Sequence, residues 1–170
     1  MVSPFDFVLT PHKGKISVNK DESGLILSSS IENHKNSNRL AIVKSVPLGY
    51  NGPVKNGDTV VVHHNVFRKY YDMKGKEKFS SSKIRGTTYL ASHLEVFAFN
   101  SGDGWKSIEP YIFMSSDQTH NGEVLVSYIG SEDDGIIPGE RLYYRPDSEY
   151  EFIIDGVKMY RVPKSNICAT

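Results

Sequence analysis

The hydrophobic residues of this chain occur in short runs separated by turn-forming residues. Such runs, bounded by Gly, Pro, Asn and Asp, predict β-strands. No window of helical length shows apolar residues at i, i+3, i+4 and i+7, and the nearest candidate, Val66–Tyr71, is too short and too aromatic for a helix. The predicted strands are Phe5–Thr10, Leu40–Val46, Thr59–His64, Thr88–Leu90, Val96–Phe99, Tyr111–Met114, Val124–Ile129, Arg141–Arg145, Glu151–Ile154 and Lys158–Val162.

Turn signals stand between these runs at regular intervals. The segments 49–53, Asn56-Gly57-Asp58, Asn121-Gly122 and Pro138-Gly139-Glu140 have compositions typical of tight turns. Asp155-Gly156 lies between two apolar runs and predicts a two-residue hairpin. The sequence therefore predicts an all-β fold of small barrel or sandwich type.

Two polar segments interrupt this pattern and are interpreted as loops. The first covers residues 13–39 and is rich in Ser, Asn and Lys; the second, residues 71–86, is an insertion rich in Lys and Ser. Within the first, Gly24, Leu25, Ile26 and Leu27 place three consecutive large aliphatic side chains in surroundings that cannot bury them. We interpret residues 13–39 as a mobile loop with a partner-binding tip, and an ordinary buried edge strand is the alternative interpretation.

The chain divides into two parts that follow the same pattern. Residues 100–110 have linker composition and separate a first unit, 1–99, from a second, 111–170. Apolar runs recur in the same order in the two parts, which indicates an internal duplication. The paired runs are 40–43 with 124–126, 55–62 with 137–144, 89–91 with 160–162 and 96–98 with 167–169.

Composition and charge restrict the classes of partner. The 38% hydrophobic content of this 170-residue chain is enough to build a core. Twenty basic and twenty acidic residues give a formal net charge of zero, which removes the long-range attraction that nucleic acid or a membrane surface would exert. Cys168 is the one cysteine, which excludes an intrachain disulfide, and no segment has the ~18 consecutive apolar residues of a membrane span. We therefore expect a soluble, cytoplasmic protein.

No constellation of residues indicates catalysis, a metal site or a cofactor. The six histidines lack ligand spacing, and His63 and His64 are expected on opposite faces of a strand. Cys168 lies in an apolar run typical of a structural thiol, and Gly102–Ser107 lacks the spacing of a phosphate-binding loop. The acidic run 132–134 is interpreted as a solvated turn. The basic and aromatic stretch 67–78 suggests single-stranded nucleic acid, but a strand end followed by a solvated loop is favoured because the chain is neutral overall.

The order of these features resembles the GroES-type co-chaperonins, particularly divergent phage-encoded members. That family has a first strand, a mobile loop with a Gly-aliphatic tip, a strand, a turn, a Val-x-x-Gly-Asp-x-Val strand, a hairpin and a last strand ending near Ile-Leu-Ala. The counterparts here are 7–9, 23–28, 40–46, 49–53, 54–60 and 89–98, and the ending 155–169 is also similar. The resemblance covers about the first hundred residues, and the second part repeats the barrel portion only.

The resemblance implies a non-enzymatic protein that caps a GroEL-type chaperonin and assists ATP-dependent protein folding. Gly24, Leu25, Ile26 and Leu27 would be the chaperonin-binding residues, and ATP would be bound by the chaperonin, so this chain itself needs no cofactor. The family forms seven-membered rings, which implies self-association into a ring, in the host cytoplasm if the chain is phage-encoded. The second copy lacks a mobile loop, and the 71–86 insertion has no counterpart in short family members.

Two other functions fit parts of the sequence. The leading alternative is a structural or assembly protein of a virus particle, built from two small β-domains with the Leu25–Leu27 segment as a docking arm. A GroES-like fragment of a medium-chain dehydrogenase ranks third, because a nucleotide-binding βαβ pattern and zinc ligands are missing from the sequence.

Overall fold

The computed structural model describes residues 1–14, 39–115, 123–128 and 141–169, and strands dominate it. The helical elements among these residues are three-residue 3₁₀ turns, so the predicted all-β fold is confirmed. The chain divides into two compact units, Met1–Asp103 and Gly104–Thr170.

The first unit contains an antiparallel sheet in which the first strand of the chain is central. The strand order is β6-β7-β1-β2-β3-β8, and a separate two-stranded hairpin is formed by β4 and β5. The strands are β1 (Phe7–Pro11), β2 (Leu40–Ser45), β3 (Thr59–Val62), β4 (Lys69–Tyr71), β5 (Glu77–Phe79), β6 (Lys83–Arg85), β7 (Thr88–Ala91) and β8 (Val96–Asn100).

The second unit contains a six-stranded antiparallel sheet in the order β13-β14-β10-β11-β12-β15. Its hairpin turn, Asp155-Gly156, has positive φ at both positions (51° and 83°), which is the conformation that a two-residue turn requires. The strands of this unit are β9 (Trp105–Ser107), β10 (Tyr111–Ser115), β11 (Glu123–Tyr128), β12 (Arg141–Tyr144), β13 (Tyr150–Ile154), β14 (Val157–Pro163) and β15 (Ile167–Ala169).

The two sheets have the same strand order when β1, β2, β3, β6, β7 and β8 are matched with β10, β11, β12, β13, β14 and β15. The registers match too. The β1–β2 pairing shifts between Val8 and Leu9, and the β10–β11 pairing shifts between Phe113 and Met114. The last strand of each sheet follows a 3₁₀ turn, at His93–Glu95 and at Lys164–Asn166. The repeated register makes Leu90 of the first unit equivalent to Arg161 of the second.

Each unit has its own core, built mainly from residues of its strands; in the first unit Phe67, from the β3–β4 connection, belongs to it as well. In the first unit Leu9, Val60 and Phe97 are at most 1% exposed, and the ring of Phe67 packs edge-on against Tyr89 with 4.8 Å between centroids. The second unit buries a cluster of Ile112, Met114, Tyr144 and Val162, against which Ile167 packs. Burial of such side chains, at about 1.5–3 kcal/mol each, is the main source of stability of both sheets.

Two predicted loops contain strands. The 71–86 insertion was expected to be a loop, but β4 and β5 pair across it, with Lys69 opposite Phe79 and Tyr71 opposite Glu77, and β6 joins the main sheet. The segment 100–110, interpreted as a linker, holds the boundary between the units at Asp103 and also β9. Cross-strand contacts rather than burial stabilise β4 and β5, which explains why an apolar pattern did not reveal them.

Asp58 fixes the turn between β2 and β3. Its Oδ2 accepts a hydrogen bond from the backbone N–H of Lys55 at 2.8 Å, and its backbone oxygen accepts one from Val43 at 2.9 Å. Gly57, at φ +95°, donates its N–H to the oxygen of Val43 at 2.8 Å. Asp58 is 7% exposed, so water cannot readily replace its bonds.

We predict that Asp58→Ala lowers the free energy of unfolding by about 1–3 kcal/mol, because it leaves the Lys55 N–H without its acceptor. Urea unfolding followed by circular dichroism measures this loss. Asp58→Asn keeps an oxygen acceptor and should lose less. Equal losses for the two substitutions would contradict a role based on the Oδ2 hydrogen bond.

A second prediction concerns Tyr89, whose hydroxyl has no hydrogen-bond partner among the described residues and whose pKa is raised by burial. Tyr89→Phe should raise the free energy of unfolding at neutral pH by up to about 1–2 kcal/mol, because it removes an unsatisfied buried group.

The pH dependence of stability provides a further measurement. The folded-state pKa of Tyr89 lies above its unfolded value, so the unfolded chain loses the phenol proton first and stability falls as the pH rises past about 10. Tyr89→Phe should show a smaller alkaline loss than the parent chain in urea titrations. A less stable variant at neutral pH would mean that the hydroxyl has a partner.

Candidate functional site

The connection between β1 and β2 is far longer than the fold requires. The two strands are hydrogen-bonded neighbours, with Pro11 opposite Ala41, so the chain returns beside the place where it left the sheet. A hairpin of two to five residues is enough to join such strands. Here 28 residues, 12–39, lie between them.

The second unit supplies an internal comparison. The equivalent strands β10 and β11 have the same neighbours and the same register shift, yet they are joined by the seven residues 116–122. The fold thus forms with a short connection at this position. The additional residues in the first unit are not needed to join the two strands, and long connections of this kind commonly carry function.

Both ends of the long connection are fixed to the first unit. At its start, the 3₁₀ turn His12–Gly14 follows the buried end of β1, and Lys13 has φ +55°, which redirects the chain. At its end, Arg39 is 9% exposed and its backbone oxygen accepts the N–H of Val62 at 2.8 Å. The strands beyond these ends are held by Leu9 and Val43, which are almost completely buried.

The predicted binding residues Gly24, Leu25, Ile26 and Leu27 lie outside the described residues, as does most of the predicted loop 13–39. Their role as a tip stays a prediction. The flanks establish that this segment begins and ends at the same end of two adjacent central strands, β1 and β2.

The first unit departs from the second at one other place. The chain runs from β3 to β6 through residues 63–82, which include the β4–β5 hairpin, whereas β12 and β13 are joined by the five residues 145–149. The sequence predicted a strand end followed by a solvated loop at this place. The signal that it offers for the hairpin is a pair of triplets that combine charged and aromatic residues, Lys69–Tyr71 and Glu77–Phe79, on either side of a turn containing Asp-Met-Lys-Gly.

The described residues contain no group of three or more His, Cys, Asp or Glu side chains arranged to hold a metal ion. The expectation that His63 and His64 point to opposite faces was wrong: they follow the end of β3, and their rings lie 4.2 Å apart. Cys168, expected to be a structural thiol in an apolar strand, is exposed in β15, where its thiol lies 3.7 Å from the Asn166 oxygen.

Arg161 has the most distinctive environment among the described cations. Its guanidinium lies 4.6 Å from the ring centroid of Tyr111, 5.4 Å from that of Tyr150 and 5.9 Å from that of Phe152. Burial lowers the pKa of Arg161, and the ring faces offset part of the cost of desolvating the charge. Because Leu90 occupies the equivalent position in the first unit, this arrangement is best explained as packing across a sheet face.

No protein-family model matches the chain, and a search of curated proteins finds no match. In the part of the chain that the structure describes, no helix is long and apolar enough to cross a membrane. A function for this chain is therefore proposed from its own sequence and structure.

We predict that replacing residues 15–38 by about four Gly and Ser residues leaves the first unit folded. Because the register of β1 and β2 is set by their own pairing, the shorter connection should raise the free energy of unfolding by about 1–2 kcal/mol through a lower loop-closure entropy. Urea unfolding of the two chains measures the difference. Loss of cooperative unfolding in the shortened chain would show that the segment packs as part of the sheet.

Proposed function

We propose that this chain is a co-chaperonin of the GroES type, which caps a GroEL-type chaperonin and assists ATP-dependent protein folding without catalysing a reaction itself. The observation that supports the proposal most directly is the 28-residue connection between neighbouring strands whose duplicates are joined by seven residues. That connection carries Gly24, Leu25, Ile26 and Leu27, the aliphatic segment for which the sequence offers no core position.

The energetics of docking fit a reversible cap. Burial of Leu25, Ile26 and Leu27 in an apolar groove of the chaperonin contributes about 5–8 kcal/mol. Ordering the connection on binding costs conformational entropy that offsets much of this gain, so a single segment binds weakly. Gly24 supplies the backbone freedom to turn the aliphatic side chains into the groove.

Assembly of several chains makes the weak contacts effective. In a ring, the first docked segment holds the others at high effective concentration, and the combined affinity greatly exceeds that of one segment. Seven-fold symmetry is the expectation that the resemblance provides. Weak individual contacts also let the cap dissociate when the chaperonin, which binds the ATP, changes state.

The sheet serves this function as a rigid base. Both ends of the segment leave from buried, paired strands, β1 and β2, so a force applied at the segment is carried by several backbone hydrogen bonds. Antiparallel pairing of β1 with β2 on one side and β7 on the other distributes that force over the first unit. A cap that remains folded through many binding cycles needs such an anchor. We place this activity in the cytoplasm, where chaperonin and unfolded chains meet.

We predict that Ile26→Asp abolishes capping and leaves the unfolding transition unchanged. The substitution removes about 1.5–3 kcal/mol of apolar burial per segment and introduces a charge into the groove, so the loss multiplied over a ring should exceed about 100-fold in affinity. Co-elution with a GroEL-type chaperonin in the presence of nucleotide measures binding, and electron microscopy of end-capped particles counts the symmetry.

Ile153→Asp is the matched control, because Ile153 is exposed on the second unit and the chemical change is the same. It should bind as the parent chain does. Normal capping by the Ile26→Asp chain would show that the assignment of the segment is wrong. Recovery of the chain in purified virus particles, with no complex formed with chaperonin, would instead favour a structural protein of a virus.

A further inference from the structure

The positive charge of the first unit is concentrated in one segment. The described residues of that unit, 1–14 and 39–103, contain eleven Lys and Arg and six Asp and Glu, a formal charge of +5. Residues 68–85 alone contain seven Lys and Arg and two acidic residues, which is also +5. The rest of the described part of the unit has four of each sign and is neutral. The whole excess therefore lies in β4, β5, β6 and the connections between them.

Most of this segment is the β4–β5 hairpin with its flanks, residues 68–80, here termed the basic arm. The duplicate sheet forms without it, because β12 and β13 are joined by five residues. Two further backbone hydrogen bonds extend the pairing of its strands. The N–H of Asp72 donates to the oxygen of Lys76 at 3.0 Å, and the N–H of Ser80 donates to the oxygen of Arg68 at 2.9 Å. The basic arm is thus an addition to the fold with a defined shape.

Both acidic residues of the basic arm are engaged within it. The Oδ1 atom of Asp72 accepts the backbone N–H groups of Lys74 and Lys76, each at 2.9 Å. The carboxylate of Glu77 forms a salt bridge with Lys69 across the two strands. These contacts shape the turn and the hairpin, and they leave the other cations of the arm uncompensated.

Four cations of the basic arm remain available to a ligand. Arg68, Lys74, Lys76 and Lys78 are exposed, and they take part in no ion pair with any other described residue. The Debye length is about 8 Å at physiological ionic strength, so a ligand in contact with these side chains is screened from charges elsewhere in the chain. The neutrality that argued against nucleic acid applies to the whole chain and not to this surface.

The available charge lies on one face of the hairpin together with an aromatic ring. Alternation along the strands places even-numbered side chains on one face and odd-numbered ones on the other. On the even-numbered face Tyr70 lies opposite Lys78, and the guanidinium of Arg68 is 5.4 Å from the centroid of the Tyr70 ring. The odd-numbered face contains the salt bridge between Lys69 and Glu77.

A ring between cations is the arrangement that binds nucleotides, because lysine and arginine meet the phosphates while a base stacks on the ring. Tyr70 is partly exposed, as stacking requires. Lys76 and Lys78 are two residues apart, which spaces their attachment points by roughly 7 Å along the strand direction. Such a row suits an extended backbone with one charge on each nucleotide. The carboxylates of an acidic peptide would satisfy the cations but would not use the ring.

We propose that the even-numbered face of the basic arm binds a single strand of RNA or DNA. The four exposed cations contact phosphates, and Tyr70 stacks against one base. This activity goes beyond the proposed function and does not depend on the Gly24–Leu27 segment.

Fluorescence anisotropy of the full chain with a labelled oligonucleotide of about 20 thymidines or uridines tests the proposal. We expect a Kd on the order of 10⁻⁴–10⁻⁶ M at physiological salt. Contacts to four phosphates give a slope of about −2.8 for log K against log salt, so a fourfold rise in salt should weaken binding about 50-fold. The tighter of the two oligonucleotides identifies RNA or DNA as the ligand.

Three competitors provide the contrary outcomes. A duplex of the same length, poly-glutamate of the same charge and vesicles containing phosphatidylserine should all bind more weakly than the single strand. Equal or tighter binding of any of them would overturn the proposal, and so would the absence of binding to both oligonucleotides.

Charge variants locate the phosphate contacts. Lys76→Gln with Lys78→Gln removes two of them and should reduce the salt slope by about 1.4, with a loss of affinity of at least about tenfold at low salt. The control, Lys44→Gln with Lys55→Gln, makes the same change of charge at exposed positions of the same unit and should bind as the parent does. Equal losses in the two variants would overturn the assignment of the arm.

Ring variants test the stacking. Tyr70→Leu should weaken binding at least about fivefold and keep the salt slope, because it removes the ring and leaves the phosphate contacts. Tyr70→Phe retains the ring and should bind as the parent does. Circular dichroism checks the fold of each variant, and equal affinities of two folded variants would overturn the role of the ring.

Photo-cross-linking of the parent chain is independent of any substitution. An oligonucleotide containing 5-iodouridine should attach to Tyr70 on irradiation, and attachment only outside residues 68–80 would overturn the proposal. A chain with Ile26→Asp should bind the oligonucleotide normally although it fails to cap a chaperonin. The arm variants should cap normally, so failure of one proposal is distinguishable from failure of the other.

Discussion

The pairing of β1 with strands on both of its sides is the constraint on which the rest of the first unit depends. β1 lies between β2 and β7, and Phe7, Val8 and Leu9 are buried on both faces of the strand. A slip of one residue would move every side chain to the other face, so burial fixes the register. The shift between Val8 and Leu9 is part of this arrangement. A register shift also occurs between Phe113 and Met114, which indicates that the second sheet is built with the same strand pairing.

The duplicated strand order separates what the fold requires from what has been added to it. Six strands and their registers occur twice, while the long β1–β2 connection and the β4–β5 hairpin occur only in the first unit. The β4–β5 hairpin forms a separate two-stranded sheet. Each addition has a distinctive composition: an aliphatic segment in one case and an excess of cations in the other. Equivalent positions in the two sheets differ in residue type, as the half-buried Leu90 and Arg161 illustrate, and the guanidinium of Arg161 lies against the ring of Tyr111.

The sequence predicted those elements whose stability comes from burial. Runs such as 96–99 and 111–114 combine branched or aromatic residues with flanking turn residues, and the structure has strands there. The three-residue strands β4 and β5 were missed because they are held together by cross-strand pairs such as Lys69–Glu77, which leave no apolar pattern. The adjacent rings of His63 and His64 show a related limit, since strand alternation holds only while the chain remains in the strand. For Gly24–Leu27 the sequence provides the chemistry, and the described flanks provide the place of attachment.

The unequal connections also have a kinetic consequence. Pairing β1 with β2 requires closure of a 28-residue loop, whereas pairing β10 with β11 requires closure of only seven residues. A fourfold longer loop costs about 1.2 kcal/mol more in closure entropy, equivalent to a slowing of about an order of magnitude if this step limits the rate. The first unit leaves the ribosome earlier but nucleates its central hairpin more slowly. Two copies of one topology are therefore expected to reach the folded state at different rates. The second unit, with its seven-residue connection, should form its hairpin soon after synthesis.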